Sequence, residues 1–216
     1  MKTSIRQLTV IGAVAMLASG AARAQDGSDN LRADEPYVSA GIGPAIQQDI
    51  YFRNLGRTVG VDAGARGDIS MGFNLADNLA FEFQTGGIAN RIRSANSGAF
   101  GGNNAYLQQV PLLGNIILKA PLMYGITPYI GGGAGGIVSD LSVHQLNHWT
   151  DDADLTFAYQ GMAGVNVSLT RHIEVGLGYR FLGSMDHVWF ADDPSLYTPA
   201  GKTISHSILA TFTFSF

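Results

Sequence analysis

From Pro36 to Phe216 the chain alternates between apolar and polar positions, and the alternation repeats in segments of about ten to twenty residues. The last segment shows it most plainly. Ile208, Ala210, Phe212, Phe214 and Phe216 share one parity, and Leu209, Thr211, Thr213 and Ser215 share the other. A period of two belongs to a strand with two different faces, not to a helix. Seven further segments read the same way: about 36–46, 58–75, 79–88, 105–119, 126–139, 154–169 and 173–182. In the second, Val59, Val61, Ala63, Ala65, Ile69, Met71, Phe73 and Leu75 oppose Gly60, Asp62, Gly64, Arg66, Asp68, Ser70, Gly72 and Asn74. In the seventh, Ile173, Val175, Leu177, Tyr179 and Phe181 oppose Glu174 and Arg180. The fifth, ITPYIGGGAGGIVS, carries glycine on both parities, so its facing stays open.

The connections alternate too. Those after the second, fourth and sixth segments are short, while those at roughly 47–57, 89–104, 140–153 and 183–203 are long. Short turns at one end and long loops at the other, with strands long enough to cross a bilayer at a tilt, describe a transmembrane barrel. No apolar run after residue 24 approaches the length of a spanning helix. A chain that crosses lipid with strands must close them into a barrel, because open sheet edges cannot face hydrocarbon. An even strand count puts both ends of the barrel on the periplasmic side.

The N-terminus supplies the compartment. Lys2 and Arg6 form a basic head, Leu8 to Leu17 an apolar stretch, and Ala22-Arg23-Ala24 a small-residue cleavage site. Residues 1–24 are therefore expected to be a cleaved signal peptide. The apolar run is short for a membrane anchor. Removal of Lys2, Arg6 and Arg23 leaves ten bases against seventeen acids in the mature chain. An acidic exported protein is not expected to bind nucleic acid. Residues 25–35, QDGSDNLRADE, read as a polar periplasmic lead, and 36–216 as the barrel. The chain has no cysteine, so no disulfide stabilises it.

A soluble lipocalin-like barrel would alternate as well, with its apolar face inward. The signal, the loop asymmetry and the aromatic terminus favour the membrane barrel, with the apolar face toward lipid. Asp62, Arg66, Asp68, Glu82, Lys119, Glu174 and Arg180 then point into the lumen, three positive against four negative. Such near-balance predicts a cross-linked polar plug, and a bore of eight strands is only wide enough to be filled by side chains. The lipid face predicts that Leu177→Arg is costly and Gly176→Ser mild by comparison.

In order and spacing, ITPYIGGGAGG at 126–136, QGMAG at 160–164, GLGYRFL at 176–182 and the terminal TFTFSF resemble the small outer-membrane β-barrel proteins of Gram-negative bacteria, the opacity-protein and OmpA-like transmembrane-domain group. The resemblance spans the whole mature chain. It implies an all-β fold: an eight-stranded antiparallel transmembrane β-barrel with short periplasmic turns and four long external loops. It also implies that the barrel-assembly machinery recognises the last strand, with Phe212, Phe214 and Phe216 as both lipid-facing wall and assembly signal. Outer-membrane lipid and lipopolysaccharide are the expected surroundings.

Candidate chemistry is sparse. Arg66-Gly67-Asp68 matches an integrin-binding tripeptide, yet its parity places both charges inside a strand. His144 and His148 lie near Asp151, Asp152 and Asp154 in the third long loop, without the helix that would bring them onto one metal. His206 and Ser207 are neighbours on opposite faces, and Asp186-His187 has no accompanying nucleophile. No catalytic, metal or cofactor site is expected. Tyr106, Tyr124 and Tyr129 suit an interfacial aromatic belt, while Trp149 and Trp189, deeper in the loops, are candidates for contact with an external partner. The expected role is structural or surface-interacting. The alternatives are a small pore, suggested by the glycines of the fifth segment, and a lipid-modifying enzyme at His187 or His206.

Overall fold

The computed structural model describes residues 35–52, 57–92, 105–145, 148–189, 198–200 and 202–216. Strands β1 (Pro36–Gln47), β4 (Gly64–Ala76), β5 (Leu79–Ile92), β6 (Ala105–Lys119), β7 (Ile126–Gln145), β8 (His148–Ser168), β9 (Ile173–Ser184) and β12 (Ile204–Ser215) form one closed barrel. Its order is β1-β12-β9-β8-β7-β6-β5-β4, with β4 returning to β1 and neighbours antiparallel. Among the described residues no helix is long and apolar enough to cross a membrane.

The strands form where the alternation places them, and it sets their facing. Ile69, Phe83, Leu112, Ile116, Leu177, Ile208 and Phe212 are each at least half exposed on the outer wall. Arg66, Asp68, Glu82, Asn115, Gln160 and Arg180, on the opposite parity, are buried in the lumen. An apolar exterior around a polar interior is the reverse of a soluble barrel, and it stabilises a fold only in lipid. The wall continues to the last residue. Phe212, Phe214 and Phe216 are exposed, the last two in an edge-to-face pair, and the Phe216 amide donates to the Pro36 carbonyl across the closing seam at 3.1 Å.

Two expectations need correction. The segment 58–75 is not one strand. Residues 64–76 belong to the barrel, while Arg57–Val59 (β3) joins Ile50–Phe52 (β2), His187–Trp189 (β10) and Thr198–Ala200 (β11) in a second sheet of order β10-β11-β2-β3. Val59 and Val61, expected to face lipid, are buried with Ile50, Ile92 and Leu107. The third long loop is not a loop either. The β7–β8 ladder continues to Gln145↔His148, so 140–153 is mostly strand. Hydrogen bonds, not the bilayer, set how far a hairpin runs. The facing of the fifth segment, open in the sequence, is decided by the structure: β7 turns its odd residues inward, with Tyr129, Ile137 and Ser139 buried and Ile126 and Ile130 exposed.

Candidate functional site: the barrel lumen

The end of the barrel with the short turns (Ala76–Leu79, Lys119–Ile126, Ser168–Ile173) is called here the turn end, and the other the loop end. Between them the lumen is stratified. Near the turn end Tyr37, Ala80, Ile117, Tyr129 and Met162 form an apolar cluster. Tyrosine rings lie against glycines on neighbouring strands. A Cβ at Gly72 would sit 2.5 Å from the Tyr37 hydroxyl, and one at Gly164 2.6 Å from that of Tyr129. Only glycine leaves room there for the rings.

Above this cluster stands a cross-linked polar layer. The Asp68 carboxylate accepts from Arg66 Nε at 3.0 and 3.1 Å and from Gln84 Nε2 at 2.8 Å, and Arg180 Nε lies 3.5 Å from it. Arg66 Nη2 donates to Gln160 at 2.9 Å, and Gln160 Nε2 donates to Gln84 at 2.7 Å and to Asn115 at 3.0 Å. Asn115 and Arg180 also donate to Gln84 Oε1. The network thus spans β4, β5, β6, β8 and β9 in one layer, and charge-assisted bonds of this kind are the strong ones. The amides Gln84, Asn115 and Gln160 stitch it together.

Toward the loop end a second apolar cluster follows: Ala45, Ile88, Leu113, Ile137, Ala158 and Leu182. Beyond it Gln109 donates to Ser139 at 3.2 Å and to Thr203 at 3.4 Å, and Ser184 and Thr203 share a bond of 2.6 Å. The second sheet and its buried apolar residues stand at this end. The glycines of β7 do not leave the bore empty. A Cβ at Gly131 would meet Met162 Cγ at 3.0 Å, and one at Gly133 would meet Asn115 Cγ at 2.9 Å. Neighbouring side chains occupy the space that the glycines leave.

The seven charged residues read from the sequence do not form one group. Arg66, Asp68 and Arg180 meet. Glu82 is buried on the same face but accepts from the Tyr37 hydroxyl at 3.3 Å. Lys119 Nζ donates to Asn74 at 2.8 Å and lies 4.8 Å from the centre of the Tyr37 ring. Glu174 accepts from Asn166 at 3.4 Å and Ser168 at 3.1 Å. Asp62 lies outside the barrel strands altogether, in the link between β3 and β4, where its amide donates to the Arg91 carbonyl. Its place in the lumen was inferred from a parity that the chain breaks at that link. The apolar clusters were missed. Leu113, Ile117, Met162 and Leu182 had the lumen parity in plain view, and Ile137 lay on the segment whose facing glycine left open, but apolar residues on both parities hid the signal.

Other candidates separate. Tyr129 is in the lumen, not in a belt, whereas Tyr106 and Tyr124 are exposed. His206 sits on the outer wall, with Nδ1 2.7 Å from the Tyr179 hydroxyl and Nε2 3.3 Å from Gln48, while Ser207 is buried inside. Trp149 is on β8 opposite His144, and Trp189 on β10 opposite Thr198, so both stand on strands rather than in loops. His187, beside Asp186, stands opposite Ala200. Residues 1–34, with the expected signal peptide, lie outside the described residues.

The sequence from 12 to 216 matches the family model described as the outer membrane protein beta-barrel domain. The chain belongs to this family of outer-membrane barrels. The family places the barrel in the bacterial outer membrane. No curated protein sequence matches it. Among solved structures it is similar to Neisserial surface protein A, at 16% identity and TM-score 0.58, over 84% of this chain and 97% of that one. It is also similar to outer membrane protein OprG from Pseudomonas aeruginosa, at 12% identity and TM-score 0.57, over 86% and 97% of the two chains. A third is Ail, the attachment invasion locus protein of Yersinia pestis, solved with the heparin analogue sucrose octasulfate, at 10% identity and TM-score 0.50, over 83% and 99%. At these identities the likeness is one of fold.

Proposed function

We propose that the protein is a closed outer-membrane barrel with a structural or surface-interaction role, carried by the elements at its loop end. One observation supports this above the others: two apolar clusters and a cross-linked polar layer fill the bore between its ends. A filled bore leaves the outer surface as the working part. In this reading residues 1–24 are removed during export, the turn end faces the periplasm and the loop end the exterior. Phe212, Phe214 and Phe216 serve the barrel-assembly machinery, and lipopolysaccharide surrounds the outer wall. Trp149 and Trp189, on the strands that rise at the loop end, are the residues proposed to touch an external partner. The protein is not an enzyme in this reading, and no cofactor is called for.

Single-channel recording from refolded mature protein in a planar bilayer tests the reading, with cold and boiled gel samples to establish folding. Silence from folded protein is expected. Discrete, reproducible steps would overturn it in favour of a small pore.

A further inference from the structure

On the outer wall one cluster of side chains does not match its surroundings. His206 stands on β12 with the lipid-facing parity, opposite Ile46 on β1 and Phe181 on β9. Toward the turn end the same face carries Ile42, Leu177 and Ile208, each more than half exposed. Toward the loop end it turns polar, with Gln48 and Lys202 both exposed. His206 therefore marks the level at which the wall leaves hydrocarbon and enters the headgroup layer of the loop-end leaflet.

The imidazole is held at both nitrogens and by both neighbouring rings. Nδ1 lies 2.7 Å from the Tyr179 hydroxyl, and Nε2 lies 3.3 Å from Gln48 Nε2. Its ring centre is 6.1 Å from that of Tyr179, tilted by only 27°, and 5.5 Å from that of Phe181. Aromatic girdles are ordinary at this level, but a girdle does not require a histidine tied at both ends. Proton counting gives the chain Gln48–His206–Tyr179 a direction. If Gln48 donates to Nε2, then Nδ1 carries the proton and donates to the Tyr179 oxygen, and the Tyr179 hydroxyl is left to donate outward. If Nε2 carries the proton, the Gln48 carbonyl accepts it, Tyr179 donates to Nδ1, and the Gln48 amide group is left to donate. With both nitrogens protonated, both ends donate and the chain is a cation. Every state presents a donor, so the chain calls for an acceptor. Lys202, four residues before His206, adds a positive charge to the same edge.

A phosphate supplies both the acceptor oxygens and the opposite charge. On a lipid-facing wall, at headgroup level, the phosphate within reach is that of a lipid. We propose that His206, Tyr179, Gln48 and Lys202 form a binding site for a phosphate of an outer-leaflet lipid. The rings of Tyr179 and Phe181 and the exposed side chain of Ile46 lie against the rest of that molecule. A phosphomonoester, at roughly −1.5 to −2 charge near neutral pH, is preferred to the phosphodiester of a zwitterionic phospholipid, whose own ammonium group offsets it. The inference rests on the reading that the loop end faces the exterior, because that reading decides which leaflet supplies the lipid.

The test is an NMR titration of refolded, isotope-labelled mature protein in phosphatidylcholine nanodiscs. The probes are diphosphoryl lipid A, the same lipid after phosphatase treatment, and inorganic phosphate. Diphosphoryl lipid A is expected to shift the His206 imidazole and the amides of Gln48 and Tyr179 saturably. The dephosphorylated lipid and inorganic phosphate at the same concentration are expected to leave them in place. His206→Leu and Lys202→Gln are each expected to weaken binding about tenfold, and Tyr179→Phe, which keeps the ring and loses only the hydroxyl, to weaken it by a similar factor. Absence of saturable shifts with diphosphoryl lipid A overturns the proposal. So does an equal response to the dephosphorylated lipid or to inorganic phosphate, or unchanged affinity in a folded His206→Leu protein. The comparison of probes on the unaltered protein stands even if no variant folds. Orientation is read separately, by labelling Met185→Cys in intact cells with a reagent that does not cross the membrane. Labelling is expected; its absence overturns the outer-leaflet assignment, while the titration still decides the phosphate site.

Discussion

Asp68 is the keystone of the polar layer, and its removal offers the sharpest test of how that layer is stabilised. Its carboxylate is 3% exposed, receives two contacts from Arg66 Nε and one from Gln84, and lies 3.5 Å from Arg180. Asp68→Leu keeps the number and branching of side-chain heavy atoms and removes the carboxylate that, among the described residues, both guanidinium groups contact. Both would remain buried, held by the neutral amides of Gln84 and Gln160. Breaking a buried ion pair from one side costs about 3–5 kcal/mol, mostly because the remaining charge is uncompensated. With two guanidinium groups stranded, the upper part of that range is expected here. The triple change Arg66→Met, Asp68→Leu, Arg180→Met removes every charge of the layer together. It should cost far less than the single change, since whole buried ion clusters can be exchanged for apolar groups at little cost. Both follow from urea titration of refolded protein in lipid vesicles, monitored by tryptophan fluorescence and extrapolated to zero urea. A loss below about 1 kcal/mol for Asp68→Leu would refute the reasoning, because it would place the value of the layer in the range of exposed ion pairs. A triple variant as unstable as the single one would refute it differently, showing that the amide network depends on the charges.

The outer wall and the seals make further tests. Leu177, exposed on the lipid face, should lose roughly 2–4 kcal/mol on replacement by arginine if it lies near the midplane, measured by the same urea titration. Gly176→Ser, mild by the parity argument, should instead be felt. A Cβ there would lie 2.9 Å from the Val165 carbonyl and 2.7 Å from Thr211 Oγ1, so backbone must shift; a loss indistinguishable from zero would contradict that packing. Opening the upper seal with Leu113→Ala and Leu182→Ala should raise the frequency of conducting events more than Arg66→Met does, because apolar side chains, not charges, close the bore there; the reverse order would place the seal in the polar layer. Deletion of Phe216 should lower the amount of barrel in the membrane without much change in the urea midpoint of what assembles, as Phe216 lies at the exposed edge of the wall; normal membrane levels would remove it as an assembly signal.

Much of this architecture was legible along the chain. Alternation of period two marks strands because successive side chains point to opposite faces, and that is a local property needing no knowledge of neighbours. Hence the placement of Ile69, Phe83 and Leu177 outside and of Arg66, Glu82 and Arg180 inside, and hence the eight-strand count. What the sequence left open has a common cause. A lumen residue is judged by what stands across the bore, often some hundred residues away. Gln84, Asn115 and Gln160 become the centre of a network only when β5, β6 and β8 curve round to face one another. Leu113, Ile137 and Leu182 share a layer although each is surrounded in sequence by apolar residues of the other face. The glycines of β7 look like empty space until Met162 and Asn115 are seen to fill it. Asp62 carried the right parity for the lumen, but the chain leaves the barrel before reaching it, and Val59 and Val61 are buried at the loop end instead of facing lipid. Local pattern decided which way each side chain points. Closure of the barrel decided which of them meet.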